Sequence, residues 1–100
     1  MEDHQYRIKA KIWLYSGIAA WHFITIPEQI SQNIKETYSA LKRGWGSLPV
    51  QITIGDSVWD TSIFPEKKTG TYILPLKALI RKKENISNGD TVNFLLKIKV

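Results

Sequence analysis

From Gln5 to Tyr15 apolar and polar residues alternate. Tyr6, Ile8, Ala10, Ile12 and Leu14 fall on one side, and Arg7, Lys9 and Lys11 on the other. A period of two marks a half-buried strand. Ser16-Gly17 supplies a hairpin turn, because glycine accepts a positive φ without steric penalty. Ile18 to Ile26 is apolar on both faces and carries Trp21 and Phe23, which predicts a second strand lying deeper in the fold. At Pro27 the period changes. Ile30, Ile34, Tyr38 and Leu41 recur at helical spacing and form one apolar stripe. Proline suits the first helical position, Glu28 favours the positive end of the helix, and Gly44 is placed to stop it.

The second half has a related order. Leu48–Ile54 and Val58–Phe64 read as strands joined by the turn Gly55-Asp56-Ser57, with Pro65 as a stop. After the exposed turn Glu66-Lys67-Lys68-Thr69-Gly70 comes a short strand, Thr71–Leu74, ended by Pro75. Leu76, Leu79 and Ile80 then predict the inner face of a short helix, with Lys77 and Arg81 sharing its outer face four residues apart. Thr91–Val100 closes the chain, with Val92, Phe94, Leu96, Ile98 and Val100 on one side. Each half thus runs strand, proline, helix, strand. About six short strands would leave exposed edges, and closure into a barrel removes them. The expectation is a mainly β fold: one domain over residues 1–100, a small closed β-barrel with two helices, built from two pseudo-repeated halves.

Composition narrows the chemistry. There are 100 residues, 43% of them hydrophobic, with four Trp, four Tyr and three Phe, enough for one real core. Cysteine is absent, which removes disulfides, thiolate metal sites and a cysteine nucleophile. The polar start, Met1 to Arg7, is unlike a signal peptide, and no apolar run approaches the roughly 18 residues of a membrane span. A cytoplasmic protein without membrane attachment is expected. The net charge of +5 suits phosphate backbones or anionic surfaces, and it equally serves solubility.

Several pieces occur in combination: Gly44-Trp45-Gly46, Pro49-Val50, Ile54-Gly55, Trp59, Thr61-Ser62-Ile63-Phe64-Pro65, Gly70, Tyr72, Leu74-Pro75-Leu76-Lys77, Arg81 and Gly89-Asp90. Together they resemble the bacterial and archaeal family called domain of unknown function 1905, over nearly the whole chain. The resemblance implies a double-split β-barrel, in which one chain supplies both halves of a barrel that relatives build as dimers. It also implies kinship of fold with transition-state regulators and antitoxins that bind DNA. It implies no activity.

The residues themselves offer two sites. Gly44-Trp45-Gly46 reads as a binding loop, with glycines that let backbone approach a ligand and a tryptophan that offers a stacking surface. Arg43 adds anion affinity, and Trp59, Ser62 and Lys77 complete a pocket at the barrel end. The ordinary structural reading of the same loop is a helix C-cap with Trp45 plugging the barrel. The second site is basic: Lys77, Arg81, Lys82 and Lys83 on one short helix can contact phosphates. A solvated charged face explains them equally, and no aromatic interleaves them for base stacking.

Enzymatic chemistry finds little footing. Ser62 needs a base, and the only histidines are His4, near the terminus, and His22, on a strand. No pair of histidines has metal-ligand spacing, so neither metal nor cofactor is expected. Gly89-Asp90 reads as a turn whose carboxylate accepts backbone N–H bonds. The reading favoured by sequence is a non-enzymatic binding module, monomeric or weakly dimeric, for a small polar or anionic ligand or a partner peptide. The alternative is a DNA-binding protein of the swapped-hairpin kind.

Overall fold

The computed structural model describes residues 4–16, 20–41 and 46–100. The elements are β1 (Gln5–Leu14), β2 (His22–Thr25), α1 (Glu28–Tyr38) with one 3-10 turn (Ser39–Leu41), β3 (Leu48–Ile54), β4 (Ser57–Glu66), β5 (Thr71–Pro75), α2 (Ala78–Glu84) and β6 (Thr91–Ile98). The six strands close into an antiparallel barrel in the order β1-β2-β5-β4-β3-β6. Exchanging β1 with β4, β2 with β5 and β3 with β6 returns the same ring. The topology therefore carries the two-fold pseudo-repeat that the sequence order suggests.

Closure depends on the two longest strands changing partners along their length. β1 pairs with β6 through residues 5–11 and with β2 through 12–14. β4 pairs with β3 through residues 57–63 and with β5 through 64–66. The change in β1 is pinned by the Gly89-Asp90 turn. The Ile12 N–H donates to the Asp90 carbonyl at 2.9 Å, and the Gly89 N–H donates to the Ile12 carbonyl at 2.8 Å. The Asp90 carboxylate in turn accepts the Ser87 N–H at 2.9 Å, which is the loop-fixing role its position predicts.

The core follows the alternation. Ile8, Ile12, Ile24, Val50, Ile52, Ile63, Leu74, Phe94, Leu96 and Ile98 are buried, and Ile34 and Tyr38 of α1 pack onto them. At roughly 25 cal/mol per Å² of apolar surface, each buried isoleucine contributes about 2–3 kcal/mol. The hairpin turn at Gly55 needs glycine twice over. Its φ is +54°, and a Cβ there would collide with the Glu84 carboxylate, which accepts a bond from the Ser57 hydroxyl at 2.5 Å.

Four expectations differ from the structure. Leu14 is 44% exposed, because beyond Lys11 β1 has left β6 and pairs with β2 on one side only. Leu79 is 67% exposed. The seven-residue α2 meets the barrel through Ile80, its one buried residue, and Leu79 sits about 100° round the helix from it. β2 begins at His22 rather than at Ile18; residues 17–19 lie outside the described residues. Lastly, Pro65 does not end β4, which runs to Glu66. Opposite it, Tyr72 sends its N–H to Ser31 Oγ (3.0 Å) and its carbonyl to the Ile26 N–H (2.9 Å), both away from β4. Pro65 thus has no ladder bond to lose there.

Candidate functional site

The same bookkeeping explains where the barrel opens. Because Pro65 and Tyr72 form a non-hydrogen-bonded pair, Phe64 with Ile73 is a hydrogen-bonded one. The next hydrogen-bonded pair in that register would be Ser62 with Pro75. Proline has no N–H to give. The β4–β5 ladder stops at Phe64–Ile73, and the chain leaves through Leu76 and Lys77 into α2. Leu76 is held to the far strand, donating its N–H to the His22 carbonyl at 2.9 Å. The two strands part, and a groove of about 710 Å³ lies in the split.

Three walls surround it. β4 supplies Trp59, Thr61 and Phe64; β5 and the start of α2 supply Ile73, Pro75, Leu76, Lys77 and Arg81; the segment entering β2 supplies Trp21, His22 and Phe23. Its volume lies within the 300–1,000 Å³ of ordinary ligand sites, and its lining is mostly apolar with a few polar groups, as such sites are. Trp59 and Thr61 point to the inner side of the sheet but stay half-buried, because no strand covers them from the β5 side. The Phe23 wall is held by aromatic packing. Ring centroids lie 5.1 Å away at Trp13, 6.2 Å at Trp21 and 6.3 Å at Tyr15. Trp13 is itself fixed by a 2.8 Å bond from its Nε1 to Thr25 Oγ1.

The polar groups are few. Arg81 is half-buried and its Nε donates to the Leu76 carbonyl at 3.3 Å, which holds the guanidinium against the groove. Lys77, the N-cap residue of α2, is exposed. Among the described residues the one ion pair is Lys99 with Asp60, at 2.6 Å, so neither Lys77 nor Arg81 is paired with a carboxylate. Asp60 also lines the groove. The hydrogen-bonded Lys99 ammonium holds its carboxyl below the usual carboxylate range and offsets its charge. His22 donates its Nδ1–H to the Ala20 carbonyl at 2.9 Å, which leaves Nε2 as its second polar atom. Away from the groove, burial pushes the Tyr72 phenol above its ordinary value.

Of the residues singled out by sequence, the groove brings together Trp59, Lys77 and Arg81. Ser62 lies on the opposite face of β4 from Trp59, across from Pro49, and its side chain is not part of the lining. Gly46, with φ +77°, packs beside Pro65, where an added Cβ would lie 3.3 Å from Cγ. Arg43, Gly44 and Trp45 lie outside the described residues. Lys82 and Lys83 are exposed on α2 and do not line the groove. Sequence reasoning missed Trp21, Phe23, Phe64 and Pro75. The available signal was the aromatic pair Trp13 and Phe23 on adjacent strands, joined by Trp21 and Tyr15 just outside them.

No helix among the described residues is long and apolar enough to cross a membrane, and no group of three or more His, Cys, Asp or Glu among them is placed to hold a metal ion. No curated protein matches the sequence. The profile of one family, described as domain of unknown function (DUF1905), matches residues 9–96. The match spans β2 to β5 and both helices whole and most of β1 and β6, including the proline-ended β5 and the α2 start that frame the groove, and the chain belongs to that family.

Proposed function

We propose that the protein is a non-enzymatic binding module. Its groove takes a small ligand or peptide that carries an anionic group beside an apolar body. The observation that carries this reading is the pairing of Lys77 and Arg81, unmatched by any carboxylate among the described residues, with an aromatic-walled groove in the β4–β5 split. A charge-assisted contact to a guanidinium held against a half-dry wall is worth about 1.5–3 kcal/mol, while an exposed one contributes little. Arg81 is therefore the stronger of the two. The described histidines engage Tyr38 and the Ala20 carbonyl rather than a serine or threonine hydroxyl, which supports binding over nucleophilic catalysis.

The test is a titration with benzoate, followed by tryptophan fluorescence and by amide shifts. Benzoate shifts the amides lining the groove, and replacing both Lys77 and Arg81 with Gln weakens it about tenfold or more. Shifts that ignore the double replacement sink the reading. DNA binding divides the same helix differently and needs Lys77, Arg81, Lys82 and Lys83 to act together on phosphates. A gel shift with duplex DNA that is lost at moderate salt, and lost again on replacing Lys82 and Lys83, favours it instead.

A further inference from the structure

We propose that the outer face of β1, with the aromatic cluster at its end, binds single-stranded nucleic acid. Arg7, Lys9, Lys11, Trp13 and Tyr15 take alternate positions along one side of the strand, opposite the buried Ile8 and Ile12. Tyr15 lies just past β1, and its N–H still donates to the Trp21 carbonyl at 2.8 Å, so the alternation holds to the end. Three cations thus run straight into two aromatic rings. None of these five residues lines the groove, and the inference stands apart from the reading above.

The surface suits an anionic ligand that carries flat rings. Arg7, Lys9 and Lys11 are exposed, and none of them is ion-paired among the described residues. Their neighbours across on β6 are Leu95, Asn93 and Thr91, all uncharged. Asp90, just before Thr91, turns its carboxylate into its own loop, onto the Ser87 N–H. At the far end Phe23 lies across from Trp13, and Tyr15 and Trp21 stand edge-on to it. Tyr15 is 51% and Trp21 60% exposed, so both keep ring surface free for stacking. A row of cations that tracks a backbone, beside aromatic rings on which bases stack, is the arrangement that single strands use. From Arg7 to Tyr15 is about 26 Å at ~3.3 Å per residue, room for roughly four stretched nucleotides, the lower end of ordinary site sizes. A duplex fits this face less well, because its bases are already stacked on one another and must be taken out of the stack to reach a ring.

The experiment follows the fluorescence polarisation of a labelled twelve-nucleotide oligothymidylate, and of an RNA oligouridylate of the same length, with the full chain at several salt concentrations. Binding of either strand supports the proposal, and the tighter of the two names the natural source. Replacing Lys9 and Lys11 together with Gln weakens binding tenfold or more. It also lowers the slope of log affinity against log salt by about 1.4, two phosphate contacts at ~0.7 each. Tyr15→Ala weakens binding about fivefold or more and leaves that slope unchanged. All three positions are exposed, so these variants keep the fold. Annealing the DNA strand to its complement weakens binding tenfold or more. Failure of both strands to bind, equal affinity for the duplex, or a loss that follows Lys82 and Lys83 in place of Lys9 and Lys11 overturns the proposal. Binding to phosphatidylserine vesicles with neither strand bound also overturns it and assigns the face to a lipid surface.

Discussion

The two halves of the barrel share a topology and treat their helix in opposite ways. After β2 the chain folds the eleven-residue α1 onto the barrel and buries Ser31, Ile34 and Tyr38. Ser31 alone ties three elements, donating to the Ile26 carbonyl at 3.0 Å while accepting the Tyr72 N–H. Tyr38 meets His4 at 2.8 Å, Tyr6 donates to Asn33 at 2.6 Å, and Lys35 reaches the Gly70 carbonyl at 3.1 Å. After β5 the equivalent helix is seven residues long and buries only Ile80. Glu84 anchors its far end to Ser57, and its near end is left beside the groove. One half is fastened and the other half open. The lesson is that a duplicated frame can spend one copy of a helix on stability and leave the other copy's split free for a ligand, which is where low local burial belongs in a binding protein.

The sharpest way to break this comparison is to truncate one apolar residue on each helix. Ile34→Ala removes a fully buried side chain and is expected to cost about 2–5 kcal/mol in urea unfolding. Leu79→Ala removes one that is 67% exposed and is expected to stay within about 0.5 kcal/mol. Similar losses at the two sites would mean that α2 packs as tightly as α1, and the groove would lose its standing.

The contrast between the halves also shows how far the chain could be read without its structure. Alternation located β1, β3, β4 and β6, since period two needs only a buried side and a wet side. Pro27 and Pro75 marked both helix entrances. The partner changes in β1 and β4 were invisible, because alternation reports which face is buried and says nothing about which strand lies beside it. That is why Pro65 looked like a stop and why alternation could not place the split along β4, although the family resemblance implied a split barrel. Trp59, Lys77 and Arg81 were picked out as special residues, yet Trp59 and Lys77 were grouped with Arg43–Gly46 and Ser62, and Arg81 with Lys77, Lys82 and Lys83. The groove instead collects side chains from near 21, 60, 75 and 81, and no local spacing encodes that gathering.

A smaller effect sharpens the account of the open half. If Pro75 stops the ladder by lacking a donor, Pro75→Val restores one opposite Ser62. The gain of one ladder bond, about 1 kcal/mol, is nearly offset by the added freedom of the unfolded chain, so stability changes by less than about 1 kcal/mol. Hydrogen exchange is the decisive measurement. A new protected amide at position 75, with weaker benzoate binding as the split narrows, shows that the missing N–H holds the groove open. An unprotected amide at 75 assigns the opening to α2 alone.

The smallest expected effect concerns the charge on the groove wall. Asp60 and Lys99 are both exposed, so their pair is screened and its removal leaves the fold intact. The bond from Lys99 lowers the folded-state pKa of Asp60. A depressed carboxylate adds its stabilisation above its unfolded value, roughly 4, and loses it as pH falls through the lower folded value. Lys99→Ala therefore raises the Asp60 pKa toward the ordinary range, which carboxyl NMR reads directly below pH 5. It also leaves a bare negative charge at neutral pH on the groove that Arg81 lines. Benzenesulfonate, which stays ionised throughout, then binds about two- to threefold more weakly at pH 7, and the deficit shrinks as Asp60 is protonated. α1 has no such dependence to show, because none of its contacts borders the groove. A deficit that persists unchanged at low pH would mean that Lys99 touches the ligand itself rather than masking Asp60.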